Sequence, residues 1–323
     1  MALSEDKARE LVAGLLGDGP WRCRPFGAGK FSETFAVEGD GQHYVLRVAP
    51  PDSVRQLFYE LRMMRQEPAI HERLLAETAA PVPPIVAHDF GRTLVDRDYL
   101  VMPMLPGRPL NQAGLSGPAQ QRALEQWGRY VAEIHQITDP GGRFGYVGEH
   151  GCMDPQPTWA EAFSVMYRRE LDDIVDCGIY DEATAAAAMG LLAEHLDVFG
   201  HRETSRLLHG DLWVTNLLVD GDGTVTGVID FDRACWGDVE WDLAIAEYCG
   251  VTRPAFWAGY GRRVETHEGP AAVRRLFYLL YEHQKYIVIS MSARRDDPAG
   301  ARRYAAESLA AMENFRRTGQ PVF

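Results

Sequence analysis

Hydrophobic and polar positions alternate with a strand-like period in the first third of this 323-residue chain and take a helical period through most of the rest. Ser4 stands where a helix N-cap would, and Gly17 where that helix would stop. Alternation over Trp21–Gly27, Phe31–Val37 and Gln42–Ala49 predicts three strands, with Glu38–Gly41 as the hairpin turn between the last two. A helical stretch is predicted from about Ser53 to Glu77. Pro81, Pro83 and Pro84 end it, and short strands follow near Val86–Gly91 and Asp98–Met102. Beyond that point Leu124, Trp127, Val131 and Ile134 repeat at helical spacing, and further helices are predicted over 158–176, 181–199, 253–265, 271–293 and 299–316. One extended interruption breaks this run: Leu207–His209, Leu217–Val219 and Val225–Phe231 read as strands, the last two joined by the turn Asp220–Gly223. The apolar, proline-bearing segment Met102–Gly107 suits a connector. The expectation is an α+β chain of two lobes: residues 1–102 small and β-rich, 103–107 a hinge, and 108–323 larger and mostly helical.

Composition narrows the function. Hydrophobic residues make up 46% and charged residues 24%, enough apolar material for two cores. The formal charge of -13 opposes nucleic-acid binding, because no basic stripe offsets it; the arginine pairs from Arg262-Arg263 to Arg316-Arg317 read as solvated helix faces. Five scattered cysteines without C-x-x-C spacing predict neither a disulfide framework nor a zinc site. The charged start Ser4-Glu5-Asp6-Lys7 and the absence of any apolar run near the ~20 residues a bilayer needs predict a soluble, cytoplasmic protein.

The segment carrying chemistry is His209-Gly210-Asp211-Leu212-Trp213-Val214-Thr215-Asn216, followed by Asp230 in Ile229-Asp230-Phe231-Asp232. Phosphoryl transfer needs a carboxylate to orient the acceptor hydroxyl and take its proton, and oxygen ligands to hold magnesium against phosphates. Asp211 would be the base, and Asn216 and Asp230 the metal ligands. Taken singly, the H-x-D and D-x-D pieces also suit a metallophosphoesterase or a nucleotide-sugar transferase.

The segment resembles the H-x-D-x-x-x-x-N region of the aminoglycoside phosphotransferase and choline kinase group, relatives of protein kinases. Trp236-Gly237-Asp238-Val239-Glu240-Trp241-Asp242-Leu243-Ala244 resembles the same group's G-D-x-x-x-D-L-A element, and His-Gly-Asp-Leu-Trp is similar to the fructosamine kinases within it. The resemblance implies a protein-kinase-like fold, ATP as donor with GTP left open, Mg2+, and transfer to a hydroxyl. It implies that Asp242 is a buried brace for the 209–216 loop. The same resemblance asks for a glycine-bearing turn over the phosphates, a cation on the third strand and a carboxylate on the following helix. Gly29 and Ser32 would supply the first, in a turn that is not a Walker A loop; Arg47 stands where lysine is usual, and Glu67, in preference to Glu60, would be its partner. Adenine would lie against backbone groups near Met102 and Met104. His135 reads as structural.

The acceptor site is expected under Asp211. Acidic candidates are Glu161, Asp172, Asp173, Asp176, Glu240, Glu247 and Glu282, with Asp232 placed either at the acceptor or at the metal. Such carboxylates predict a cationic hydroxylated acceptor, an aminoglycoside-like antibiotic first, with resistance as the role. Lys285, one turn from Glu282, could instead neutralise it. A fructosamine or choline kinase and a catalytically weak nucleotide-binding homologue are the alternatives.

Overall fold

The computed structural model describes residues 2–27, 31–146, 148–201, 204–292 and 295–323. Helix α1 (Glu5–Leu16) starts where its cap requires: the Ser4 Oγ accepts the Lys7 N–H at 3.1 Å. Strands β1 (Arg22–Pro25), β2 (Glu33–Gly39) and β3 (Gln42–Val48) follow, and Asp40 and Gly41 turn the β2–β3 hairpin in left-handed conformations, φ 51° and 74°. Helix α2 (Glu67–Glu77) then precedes β4 (Ala87–Asp89) and β5 (Tyr99–Pro103), which complete an antiparallel sheet of order β1-β2-β3-β5-β4. One face of that sheet, Phe35, Val37, Leu46, Val48, Tyr99 and Val101, buries itself against Ala8, Leu11 and Val12 of α1. Strand alternation therefore turns Val45 and Arg47 to the opposite face, which lines a cleft.

The predicted helix over 53–77 is only half realised. Residues 53–62 form turns, Arg62 adopts φ 58°, Met63–Gln66 make one 3-10 turn, and α2 begins at Glu67. Pro68 sets that start, since a ring without an N–H is tolerated in the first turn and not deeper.

After β6 (Arg108–Pro109) come α3 (Gly117–Ile134), α4 (Trp159–Asp176) and α5 (Glu182–Ala193). Next are β7 (Arg206–Leu208), β8 (Leu217–Val219), β9 (Val225–Val228) and β10 (Cys235–Gly237), and then α6 (Val239–Tyr248), α7 (Pro254–Tyr260), α8 (Gly269–Met291) and α9 (Pro298–Thr318). Predicted spans 181–199 and 253–265 are shorter than expected: α5 gives way to a 3-10 turn at Leu196–Phe199, and Gly261 at φ 84° stops α7. Helix α6 was not anticipated. Its residues from Val239 to Ala246 are all buried, so no polar stripe marks its period. Aromatic side chains of α4 and α8, with Trp241 of α6, build one core, while α3, α7 and the β8–β9 hairpin enclose another.

Several bonds join the sheet region to the helical part. Gln66 Nε2 donates to the Asp232 carbonyl at 2.5 Å, Val228 N to Pro81 O at 3.0 Å, and Phe58 N to the Asp173 carboxylate at 2.7 Å. Among the described residues no helix is long and apolar enough to cross a membrane. All five cysteines are free thiols.

Candidate active site

Strand β7 delivers the chain to the 209–216 loop, and the β8–β9 hairpin brings it back at Asp230, so that residues distant by two loops meet at the floor of the cleft. Gly210 makes the turn between His209 and Asp211. Its φ is 76°, and a Cβ there would sit 2.3 Å from the Arg233 carbonyl, so only glycine fits. The His209 Nδ1 accepts the Asp211 N–H at 3.3 Å, which leaves Nε2 protonated to donate to Ile229 O at 3.1 Å. That imidazole ties the loop to the returning strand.

Below the loop lies Asp242, wholly buried on α6. Its Oδ2 accepts the His209 N–H at 2.7 Å and its Oδ1 the Gly210 N–H at 2.8 Å, while His135 Nε2 lies 3.1 Å from Oδ2. Tyr260 of α7 contacts the other nitrogen of His135 at 2.9 Å. The sequence reading of Asp242 as a brace and His135 as structural matches this arrangement.

Asn216 donates from Nδ2 to the Asp211 carboxylate at 2.9 Å and to its carbonyl at 3.0 Å. Its amide oxygen is thereby directed away from Asp211, as an acceptor. Burial works to raise the Asp211 carboxyl, but Lys285, Arg233, His209 and the Asn216 bond outweigh it and hold the group below the ordinary aspartate value. It is a carboxylate at neutral pH. Asp230 stands at φ 73°, an uncommon conformation for a side-chain-bearing residue, with its carboxylate 40% exposed to the cleft.

Arg47 reaches across from β3 to this pair of loops. Its Nη1 bonds Glu67 at 2.6 Å, and its Nη2 bonds Asp230 at 3.1 Å and Asp232 at 2.9 Å. Glu67 is therefore the partner, as favoured; Glu60 instead accepts the Leu57 N–H at 2.8 Å. Burial pushes the Glu67 carboxyl up to about 7 against the pull of Arg47, and burial with the neighbouring Asp230 raises Asp232 well above its ordinary value. Ser32, Met102 and Met104 line the same cleft, whose volume is about 1030 Å³. The Met104 N–H already donates to His43 O at 3.0 Å, so that amide is not open to a ligand. Gly29 lies outside the described residues.

The acceptor-side expectations fare differently. Asp232 belongs to the Arg47 cluster, 2.9 Å from that guanidinium, and not to a separate acceptor surface. Glu240 does not line the cleft. It is buried under Arg274, which holds it through two bonds of 2.8 and 3.0 Å, so this arginine is no solvated helix face either. Glu282 does line the cleft but is engaged by Arg233 at 3.1 Å, Lys285 at 2.5 Å and Trp241 Nε1 at 3.1 Å. Asp173 accepts from Phe58, Glu247 pairs with His267 and Arg275, and Glu161 bonds the Thr158 hydroxyl; these three, with Asp172 and Asp176, are not among the cleft-lining residues. An acidic pocket assembled from distant helices is not what the fold makes.

Arg233 was missed. Its guanidinium lies 3.6 Å from Asp211, packs 5.2 Å over the Tyr59 ring and is buried. A basic residue directly after Asp230-Phe231-Asp232 was the available signal.

Glu240 also belongs to a second cluster, where His201 Nε2 lies 3.2 Å from Asp238 and 3.6 Å from Glu240. Burial opposes the imidazolium and Arg274 repels it, but the two carboxylates win and raise His201 to about 8. A raised imidazole stabilises the fold fully below its ordinary value near 6.5, and that contribution is lost as pH rises through about 8. His201→Gln is therefore expected to lower the urea midpoint at pH 6 and to match the parent at pH 9. An equal deficit at both pH values would contradict the assignment.

Comparison with known proteins identifies a family and a fold. The family described as "Phosphotransferase enzyme family" matches residues 22–276. The Escherichia coli K12 protein named "Probable ketoamine kinase YniA" is 32% identical over 177 residues, 51% of this chain and 55% of that protein, so the chain spans about half the length of this curated relative. A thermostable variant of aminoglycoside phosphotransferase APH(4)-Ia, solved in ternary complex with AMP-PNP and hygromycin B, superposes with a TM-score of 0.66 at 20% identity, covering 97% of this chain and 99% of that one. A candidate fructosamine-3-kinase from Haemophilus somnus gives 0.67 at 18% identity, with 94% and 96% covered. These likenesses show a shared protein-kinase-like fold. With the match running from β1 into α8, the chain belongs to the phosphotransferase enzyme family.

Proposed function

We propose that this protein is a small-molecule O-phosphotransferase that moves the γ-phosphoryl group of ATP to a hydroxyl, and that its acceptor is a ketoamine. The observation carrying this reading is the convergence of Asp211, Asn216 and Asp230 on one cleft, with Arg47 braced by Glu67 opposite them. In it Asp211 orients the acceptor hydroxyl and takes its proton, which its low-lying carboxyl is ionised to do. The Asn216 amide oxygen and the Asp230 carboxylate are hard oxygen donors of the kind magnesium prefers, and the ion would neutralise charge developing on the phosphates. Arg47 carries a permanent charge for the phosphates, and Ser32 adds a buried hydroxyl whose Oγ has no partner among the described residues. From its place in the sequence, Gly29 is assigned to the phosphates as well. Adenine would pack on Met102 and Met104, with residues 103–107 acting as the hinge between lobes 1–102 and 108–323.

The name of the curated relative supports the ketoamine acceptor. A second reading, an aminocyclitol antibiotic, draws on the hygromycin B complex of the structural neighbour. Magnesium-dependent ADP release, measured with fructosyl-amines and with aminocyclitols as acceptors, decides between them. Release stimulated by a fructosyl-amine alone is the expected result. Release with an aminocyclitol alone favours the second reading, and magnesium-dependent ATP binding without release on either would reduce the chain to a nucleotide-binding homologue.

A further inference from the structure

Outside the cleft the described residues form a second pocket, of about 260 Å³, where the C-terminal end of α3 meets the approach to β7, the start of α6 and the end of α7. It shares no lining residue with the cleft. The buried His135 and Tyr260, joined at 2.9 Å, line it together with the more exposed His201, Thr204, Arg206 and Arg262. Its volume falls below the ~300–1,000 Å³ of pockets that enclose drug-sized molecules, which limits an occupant to a compact one.

Among the described residues no acid lines this pocket. The two carboxylates that reach His201 are buried and held elsewhere: Tyr278 donates its O–H to Asp238 at 2.8 Å, and Arg274 grips Glu240 at 2.8 and 3.0 Å. His201, an imidazolium at neutral pH, and Arg274 match those two negative charges. Acids on the adjoining elements are engaged as well. Asp242 is taken by His135 and the 209–216 loop, Glu133 accepts the Ala79 N–H at 2.7 Å, and Asp139 holds Arg143 at 3.1 Å. Arg202 and Glu203, outside the described residues, are opposite in charge.

Two guanidiniums are left over. Arg206 Nη1 donates to the Gln136 carbonyl at 3.0 Å, and among the described residues neither Arg206 nor Arg262 has a carboxylate within ion-pairing distance. The helix ends add fields of both signs: α6 begins at Val239 on the pocket wall, while α3 ends at Ile134, where Arg206 covers one of the trailing carbonyls. Like charges bordering one small pocket repel each other until an anion lies between them, and a guanidinium presents paired donors that fit phosphate oxygens.

We infer that this pocket binds a compact phosphoryl dianion, either free phosphate or the phosphoryl group of a phosphomonoester, through Arg206, Arg262 and the Thr204 hydroxyl. A divalent cation at His201, Asp238 and Glu240, whose ligand atoms lie within 4.8 Å of one another, is opposed by Arg274, which already holds Glu240. The dianion lies against His135, the residue behind Asp242, so its binding joins α3, α6 and α7 beneath the 209–216 loop.

The test titrates inorganic phosphate into the full chain by calorimetry at low ionic strength and follows the unfolding temperature in parallel. One saturable site and an unfolding temperature that climbs with phosphate are expected. The Arg206→Gln/Arg262→Gln double variant should weaken binding by about tenfold or more, the scale for losing charged hydrogen bonds. Arg262→Gln alone removes a side chain that makes no bond among the described residues, and should weaken binding by about threefold or more; it keeps the test open if the double variant does not fold. Glucose 6-phosphate, titrated in the same way, separates the sources: tighter binding assigns the pocket to a phosphomonoester, equal or weaker binding to free phosphate. Absence of saturable binding overturns the inference. Binding unchanged in the variants also overturns it, because the phosphate would then sit in the cleft, where Arg47 and Arg108 remain. Neither result bears on the phosphotransferase reading, which concerns the other pocket.

Discussion

Asp211→Asn is expected to lower kcat by about 10²–10⁴, the range for losing a positioned general base, while magnesium-ATP still binds within a few-fold. The side chain is isosteric and the loop does not depend on its charge for shape: Gly210 supplies the turn, and Asp242 and His209 supply the backbone bonds. Asn216 loses one charged acceptor but keeps the Asp211 carbonyl at 3.0 Å. Initial rates at saturating ATP, with nucleotide affinity measured by fluorescence titration, separate chemistry from binding. Turnover within about tenfold of the parent would remove Asp211 from the role of base.

Asp242→Ala should act on stability first. The carboxylate is sealed inside the helical part, and its removal strands the His209 and Gly210 amides together with the His135 ring. Each buried donor left without a partner costs about 1–3 kcal/mol, and breaking a buried charged network costs about 3–5 kcal/mol in all. A loss of that size is expected in the free energy from urea unfolding. Asp242→Asn should be milder, because its amide oxygen still accepts one of the two N–H groups, while its NH2 must face the other donor. A deficit below about 1 kcal/mol for the alanine variant would mean that water or a shifted loop satisfies those amides instead.

The parts of the site legible from sequence were those fixed by local geometry. Asp211 and Asn216 are five residues apart on one loop, and their contact follows from that loop's length. Arg47 was legible because the strand period that buries Leu46 and Val48 sends it to the opposite face. Glu67 could be preferred to Glu60 because the run from it to Pro81-Val82-Pro83 matches the helix length that the family resemblance implies; the structure adds that Pro68 lies in the first turn of that helix. What failed was the acceptor side. Whether an acid on α4, α6 or α8 meets the cleft or an arginine of the next helix depends on how long helices rotate against one another, and Glu240 and Arg274 found each other across that packing. Arg233 escaped notice for the complementary reason: its proximity to Asp211 is made by a turn after β9, not by any spacing rule.

The guanidinium of Arg47, bonded at once to Asp230, Asp232 and Glu67, acts as a placeholder. Three acidic side chains from two segments, Glu67 on α2 and Asp230 with Asp232 after β9, are already gathered around one positive centre, so a divalent ion would not need to order that part of the chain. On the proposed function, a bound divalent ion would compete with Arg47 for Asp230, and the arginine arm so freed would be available to a phosphate. Assembly of such a centre would then be an exchange of partners rather than a folding event, with much of the ordering entropy already spent.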